Sequence, residues 1–202
     1  MVKIQVATSN PGKLREYRVL AGENPIVIEP LPQFAGLPAF AEDAPTFAEN
    51  SAGKALHYSR FTGELLIADD SGLVVPALGG APGVHSARYA GPGASDEDRV
   101  RKLLAEMQDK SGEDRQARFV CVLTLAQQGR ALAVFSDSAE GVIADGPRGT
   151  GGFGYDPVFY FPQLDKTYAE ISREQKNEYS HRGRAFRKLL RYLLEPDSPE
   201  LI

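Results

Sequence analysis

The chain has 202 residues, of which 42% are hydrophobic and 25% charged, a profile typical of one globular domain with its own core. No run approaches the roughly 20 apolar residues of a membrane span, and the opening MVKIQVATSN lacks the apolar stretch of a secretion signal. The net charge of −4 argues against binding DNA, RNA or a membrane by bulk electrostatic attraction. The single cysteine, Cys121, allows no intrachain disulfide and is expected to pack in the core. We therefore predict one cytoplasmic domain over residues 1–202.

The first elements alternate between strand and helix. Residues 2–8 predict a short strand, and Asn10 followed by Pro11 predicts the start of a helix, with Asn10 as its N-cap. Gly22 is expected to end this helix. The segment PIVIEP that follows predicts a second short strand.

A second helix and a buried strand are expected next. Thr46 and Glu49 have the spacing of a capping box, which predicts a helix from this point to near Gly63. The apolar run LLIA predicts a buried strand that stops at Asp69 and Asp70. This interpretation places the two acids at the C-terminal end of the strand.

The second half of the chain is richer in predicted strands. Residues 76–94, rich in Gly and Pro, predict a long loop, ordered or disordered, and Ser95 with three following acids predicts a helix start. The segments ARFVCVLTLA and ALAVFSDSA predict a hairpin around QQGR, EGVIADG predicts a third strand, and VFYF predicts a fourth. A last helix is predicted from near Ser180 to Pro196, and the tail EPDSPELI is expected to be mobile. Together these elements indicate an α/β fold with a mixed sheet.

The segment TSNPGK at residues 8–13 lies at the turn between the first strand and helix. Backbone N–H groups at a helix N-terminus favour anions, and Lys13 adds a full positive charge. The segment is not a Walker A loop, because G-x-x-x-x-G-K-[ST] occurs nowhere in the chain. It is a candidate phosphate-binding turn, and the alternative is an ordinary capped helix.

Asp69, Asp70 and the upstream Glu42 form a candidate metal site. Adjacent carboxylates in a buried strand repel each other and are costly to desolvate, so a divalent cation would compensate them. Mg²⁺ takes oxygen ligands and is commonly held by one or two carboxylates and substrate phosphate. The three histidines form no zinc-binding cluster. The alternative is a turn in which one aspartate caps and the other is solvated.

Residues 149–157, GTGGFGYDP, match the pattern G-x-G-x-x-G only formally. A dinucleotide-binding loop opens a helix, whereas a strand is predicted next in this chain. Phe153 could stack on a nucleobase, and Asp156 could accept hydrogen bonds from ring N–H groups. The alternative is that Phe153 is a core residue on a glycine turn.

Donor side chains gather at the start of the last predicted helix, where Ser180, His181 and Arg182 follow Lys176. Such donors could bind a carbonyl oxygen of a base or hold a phosphate. The alternative is a capped helix with exposed basic side chains.

In order and spacing, the chain resembles the non-canonical purine nucleoside triphosphate pyrophosphatases, also called inosine triphosphatases, through TSNPGK, TFAENSAGKA, ADDSGLVV, LGGAPGVHSARYAG, RQARFVCVL, GTGGFGYDPVF and SHRGRAF. The resemblance implies an elongated mixed β-sheet flanked by helices, two lobes with a central substrate cleft, and usually a homodimer. It also implies hydrolysis of ITP, dITP and XTP to the monophosphate and pyrophosphate, which removes deaminated purines from the nucleotide pool.

The resemblance implies roles for individual residues as well. Mg²⁺ would be held by Glu42 and Asp70, and the catalytic residues would be Asp70, Lys13 and Asp69. Asp70 would be the proton acceptor, and the alternative is Asp69 acting through the metal shell. The family often reads E-T-G where this chain has Glu42, Asp43 and Ala44, so either acid could reach the metal. The substrate would contact Thr8, Ser9, Asn10, Pro11, Gly12, Lys13, Lys54, Ser71, Arg88, Phe153, Gly154, Tyr155, Asp156, Lys176, His181 and Arg182.

Substrate choice and two alternative functions follow from the same residues. Donors near His181 and Arg182 would pair with a six-keto purine but find no acceptor in the amino group of adenine, which predicts discrimination against ATP. One alternative is a regulator that binds nucleotides without cleaving them. The other is a pyrophosphatase of the related septum-formation inhibitor family, against which GGFGYD and SHR argue.

Overall fold

The structure is a computed structural model that describes residues 1–195. Its strands are β1 (Val2–Val6), β2 (Ile26–Pro30), β3 (Leu65–Val74), β4 (Gln116–Gln127), β5 (Arg130–Ile143), β6 (Phe159–Phe161) and β7 (Lys166–Thr167). Its α-helices are α1 (Pro11–Ala21), α2 (Phe47–Tyr58), α3 (Asp96–Glu106), α4 (Arg173–Tyr179) and α5 (His181–Leu194). In the described part of the chain, no helix is both long enough and apolar enough to cross a bilayer.

The strands form one seven-stranded mixed sheet in the order β2-β1-β3-β4-β5-β6-β7. β1 is parallel to β2 and to β3, with Val6 opposite Ile67, whereas β6 is antiparallel to β5 and β7. Gln128 and Gly129 join β4 to β5 with φ angles of 48° and 80°, the left-handed backbone that suits a tight hairpin. The sheet and its flanking helices confirm the predicted α/β class, and the hairpin is confirmed as well.

The chain divides into two compact units by its internal contacts. Unit 1 comprises residues 1–70, 121–137 and the described residues from 181 onward. Unit 2 comprises residues 71–120 and 138–180. The single domain over 1–202 and the central cleft stay predictions.

The core of unit 1 lies where α1 and α5 pack on the sheet. Ile4 and Ile67 come from the strands, and the rings of Tyr17 and Phe186 meet with centroids 5.3 Å apart. Cys121 is fully buried in this core, and burial raises the pKa of its thiol to about 12. The prediction of a packing role for Cys121 is confirmed.

The core of unit 2 is an aromatic cluster against helix α3. Tyr168 packs against Phe159 and Phe161, with ring centroids 4.8 and 5.6 Å away. Leu103 and Met107, the apolar side of α3, are fully buried in the same cluster.

The predicted helix starts are correct. The Asn10 side chain accepts hydrogen bonds from the backbone of Gly12 and Lys13, and Thr46 accepts one from the Glu49 amide. Ser95 forms a reciprocal capping box with Asp98 at α3. Because these bonds depend only on residues within one turn, the local sequence is enough to predict them.

Two predictions about strands are wrong, and one helix was missed. β3 does not stop at Asp69 and Asp70 but continues to Val74. The two acids lie instead just beyond the last residue pair of β1 with β3, which is Val6 with Ile67. The segment EGVIADG is not a third strand, because EGVI continues β5. Helix α4, capped by Ser172, was not predicted, and at 7 residues it is too short to show a clear apolar period.

The glycine-rich loop at 76–94 contains two short 3₁₀ helices, Pro76–Leu78 and Gly83–Arg88. The predicted mobile tail, apart from Glu195, lies outside the described residues.

Gly141 allows β6 to approach β5 closely, because a Cβ there would lie 2.5 Å from the Phe159 ring and 2.6 Å from the Tyr160 carbonyl oxygen. We expect Gly141→Ala to lower the free energy of unfolding by about 1–3 kcal/mol, since the clash involves backbone. Gly63→Ala is the control, because a Cβ at Gly63 meets nothing within 4 Å. Urea unfolding measures both, and equal midpoints for the two variants would contradict this account.

Candidate active site

The turn between β1 and α1 places a lysine beside β3. The Thr8 hydroxyl accepts a hydrogen bond from the Asn10 amide, and the Asn10 side chain caps α1. The Lys13 ammonium then lies 2.7 Å from Oδ2 of Asp69. Of the other residues in this predicted phosphate-binding turn, Gly12 is buried, whereas Ser9 and Pro11 are exposed.

Asp69 is a buried carboxylate held between two cations. Only 1% of the residue is exposed, and Arg182 Nη2 lies 3.6 Å from the Oδ2 atom that also meets Lys13. Burial raises the pKa of Asp69, but the charges of Lys13, Arg182 and Lys54 outweigh it and hold the pKa well below its ordinary value. Asp69 is therefore ionised throughout the physiological range.

Arg182 also forms a buried ion pair with Glu16, whose Oε2 lies 2.5 Å from Nη1. Both side chains are at most 5% exposed, and the pair joins α1 to α5. Glu16 was missed by sequence reasoning. It follows Lys13 by three residues and so lies on the same face of α1, which was the available signal. Positive and negative side chains therefore alternate along one series of contacts, in the order Lys13, Asp69, Arg182 and Glu16.

Asp70 has a different environment from Asp69. Its Oδ2 accepts a hydrogen bond from the Asn50 amide at 3.0 Å, and 8% of the residue is exposed. Burial raises the pKa of Asp70 above its ordinary value, and the negative charge of Glu42 raises it further, against the lowering by Lys13, Asn50 and Lys54. Of the two adjacent aspartates, Asp70 therefore takes up a proton more readily.

Helix α2 supplies the polar partners of these acids from its buried face. Lys54 Nζ lies 2.9 Å from Glu42 Oε2. Asn50 holds the segment after Glu42 through the backbone N–H and carbonyl oxygen of Ala44, at 3.0 and 3.2 Å. Ser51 binds the Ala68 carbonyl oxygen of β3. Asn50 also was missed by sequence reasoning, although it lies within the motif TFAENSAGKA.

The donor set near Asp70 fits Mg²⁺. Within residues 1–195, no group of three or more His, Cys, Asp or Glu side chains is arranged to hold a metal ion. Magnesium, however, is usually bound by one or two carboxylates together with substrate phosphate. Glu42 and Asp70 provide two carboxylates that repel each other, whereas Asp43 is exposed. The choice between Glu42 and Asp43 as metal ligand stays a prediction.

A second cluster lies in unit 2, on the glycine-rich segment after β5. Oδ2 of Asp156 accepts a hydrogen bond from the Phe153 amide at 2.8 Å and pairs with Lys176 Nζ at 2.5 Å. Lys176 Nζ also lies 4.6 Å from the centroid of the Phe153 ring. Asp156 and Lys176 are buried, whereas Phe153 is half-buried. Phe153 is thus not sealed in the core.

Two glycines of this segment are required by close packing. A Cβ at Gly152 would lie 2.0 Å from the Asp156 carboxylate, and one at Gly149 would lie 2.4 Å from the backbone of Ala169. Both glycines have positive φ angles, 73° and 79°. The glycines therefore fold a tight turn around Asp156. The strand β6 follows this turn, as predicted, and not the helix that a dinucleotide-binding loop opens.

The structure also places four more of the predicted site residues. Ser71 lies in β3, and Arg88 is exposed at the end of a 3₁₀ helix. His181 is buried at the first position of α5. Tyr155 is buried, and its hydroxyl donates to the Ser86 carbonyl oxygen at 2.9 Å.

The fold and these clusters define an α/β protein with a candidate site for a divalent cation and a phosphorylated ligand. The model of the Ham1 family matches residues 4–192. The chain belongs to the Ham1 family, which confirms the resemblance inferred from its motifs.

Characterised relatives match nearly the whole chain. It is 50% identical over 189 residues to the dITP/XTP pyrophosphatase of Geobacillus kaustophilus, which covers 94% of this chain and 93% of that relative. It is 48% identical over 189 residues to the dITP/XTP pyrophosphatase of Thermus thermophilus, covering 94% and 90%. The solved structure of a HAM1 protein from Coxiella burnetii matches with a TM-score of 0.85 at 41% identity, covering 96% of this chain and 100% of that one.

We expect Glu16→Gln to lower the free energy of unfolding by about 3 kcal/mol, because Arg182 loses the nearer of the two carboxylates that compensate its burial. Glu29→Gln is the control, since Glu29 pairs with Lys3 at 2.8 Å where both side chains are 41% exposed. Its effect should be far smaller and should vanish at high salt, which screens exposed pairs. Unfolding by urea, a denaturant that adds no salt, is measured for both variants at two salt concentrations. Equal losses of unfolding free energy in the two variants would contradict the role given to the buried ion pair.

Proposed function

We propose that this chain hydrolyses ITP, dITP and XTP to the nucleoside monophosphate and pyrophosphate, and so removes deaminated purines from the nucleotide pool. The observation that carries the proposal is the grouping of Asp70 and Glu42 with Lys13 and Lys54 in unit 1. The chain is also 50% identical to a relative named as a dITP/XTP pyrophosphatase.

The turn of residues 8–13 is proposed to bind the triphosphate. The N-terminal end of α1 favours an anion through the helix dipole, while its Gly12 and Lys13 amides are bonded to the Asn10 side chain. The ammonium of Lys13 adds a positive charge beside Asp69 of β3. Lys54 is already paired with Glu42, so it would shift part of its interaction to phosphate. The predicted contacts of Ser71 and Arg88 with substrate remain part of the proposal.

Asp70 is the proposed general base. Held by Asp70 and Glu42, Mg²⁺ would supply Lewis-acid neutralisation of the phosphate charge. Asp70 would accept a proton from the water whose oxygen bonds to the α-phosphorus, while the bond to the bridging oxygen breaks and pyrophosphate leaves. Asp69, whose Oδ2 lies 2.7 Å from Lys13 Nζ and 3.6 Å from Arg182 Nη2, would instead orient Lys13.

The base is proposed to bind at the turn in unit 2. Phe153 offers a half-buried ring for stacking, and Lys176 is a donor close to that ring. A six-keto purine presents an acceptor to such a donor, whereas the amino group of adenine does not, so ATP would lose that hydrogen bond while Lys176 keeps its pair with Asp156. His181 and Arg182 are proposed to support this discrimination, and the active form is proposed to be a cytoplasmic homodimer.

The function is tested with ITP, dITP, XTP, ATP, GTP and dTTP, the products being identified by phosphorus NMR. We expect pyrophosphate as the product and a kcat/KM for ITP or XTP at least about tenfold above that for ATP, because a buried donor loses its acceptor. Equal cleavage of all six nucleotides would contradict the substrate assignment. A preference for dTTP would favour the substrate class of the septum-formation inhibitor family. Binding without product would favour a regulator.

Asp70→Asn should lower kcat by about a hundredfold or more, because the general base is lost while the hydrogen bond from Asn50 can be kept. Glu42→Gln should raise the Mg²⁺ concentration for half-maximal rate, whereas Asp43→Asn, the matched control, should leave it near the wild-type value. Steady-state rates over a magnesium titration measure all three. Near-normal turnover in Asp70→Asn would refute the assignment of the base.

A further inference from the structure

The first turn of α3 is bonded to the turn that carries Phe153. The Gly154 amide donates a hydrogen bond to Oδ2 of Asp96 at 2.7 Å, across 58 positions of sequence within unit 2. The other carboxylate oxygen of Asp96 pairs with Arg99. Arg99 in turn donates to the carbonyl oxygens of Ala87 at 2.7 Å and Ala94 at 3.0 Å.

Asp96 is not required to cap its own helix. Ser95 and Asp98 already bond to each other's backbone amides, which completes the capping box of α3. The interaction of Asp96 with Gly154 therefore adds nothing to the capping bonds of the helix. The bond instead restrains the glycine-rich segment. In this respect Asp96 differs from Asp98, which lies two residues away in the same turn and caps the helix.

The Phe153 turn needs such an external restraint. Gly154 has a φ of +64°, and glycine resists rotation about its backbone bonds less than any other residue. Two successive amides of the turn, those of Phe153 and Gly154, each donate to a carboxylate, from Asp156 and Asp96 respectively. Together these bonds hold the two peptide planes on either side of the Phe153 Cα, and with them the direction of the Phe153 side chain.

We propose that Asp96 is a positioning residue that holds the Phe153 turn in the conformation that receives the purine base. The proposal rests on the proposed function, because that function makes this turn the base-binding element. Arg99 supports this role of Asp96, because it pairs with the Asp96 carboxylate. Arg99 also binds the carbonyl oxygen of Ala87, the residue that precedes Arg88. Asp96 touches neither substrate nor metal in this proposal, so its loss affects binding of the base more than the chemical step.

The test compares Asp96→Ala and Asp96→Asn with Asp98→Ala, which removes an acid from the same turn but leaves the bond to Gly154. Steady-state kinetics with ITP give kcat and KM separately. Amide hydrogen exchange at Gly154, followed by NMR without any nucleotide, reports the hydrogen bond directly. Asparagine has a single acceptor oxygen, so it can serve Gly154 or Arg99 but not both.

For Asp96→Ala we expect KM for ITP to rise by about tenfold with kcat within about threefold of wild type, because a recognition group is misplaced while the reacting groups are not. Asp96→Asn should fall between wild type and Asp96→Ala. The Gly154 amide should exchange faster in Asp96→Ala and be unchanged in Asp98→Ala.

The proposal is overturned if Asp96→Ala and Asp98→Ala have the same KM for ITP, or if Gly154 exchange is the same in both. A loss of kcat alone in Asp96→Ala would also overturn it. Failure of the proposed function is recognised separately, because the wild-type enzyme would then release no pyrophosphate from ITP while the exchange comparison at Gly154 could still be made.

Discussion

The buried carboxylate of Asp69 determines where the charged side chains of unit 1 lie. A carboxylate that is 1% exposed is costly to bury unless cations accompany it, so α1 and α5 must each bring one to β3. Lys13 and Arg182 are those cations, and Glu16 compensates the second of them. Lys13, the lysine proposed to bind phosphate, is thus held in place because it compensates the buried charge of Asp69. Docking of two helices and construction of the site depend on the same charges.

Local features of the fold could be read from the sequence, because each depends on a few neighbouring residues. The caps at Asn10, Thr46 and Ser95 and the hairpin around Gly129 belong to this class. The extent of β3 could not be read in this way. Its acids look like the end of a strand, yet the strand continues because their charges are compensated by groups distant in sequence, such as Lys13.

Residues of the candidate site were predictable where a motif contains them and hidden where only folding gives them a partner. Asp70 and Phe153 stand in recognisable segments. Glu16 and Asp96, by contrast, resemble ordinary helix-surface acids until α1 meets α5 and α3 meets Gly154. The contact of Glu16 with Arg182 spans 166 positions, and that of Asp96 with Gly154 spans 58. Contacts between residues so far apart produce no periodic pattern in a single sequence. For Arg182, the motif indicated a site residue but not that acids surround its guanidinium.

The inward side of α2 has an unusual composition for a helix packed on a sheet. Asn50, Ser51 and Lys54 are buried there, and Ser51 meets both the Ala68 carbonyl oxygen and the Thr124 hydroxyl. Directional polar bonds therefore orient the helix, alongside the apolar contacts that Ala55 and Tyr58 make in the core. Evolution toward greater thermal resistance would favour aliphatic replacements on this side, and a replacement of Asn50 or Lys54 would remove the partner of Asp70 or of Glu42. Stability and chemistry thus compete for these two positions.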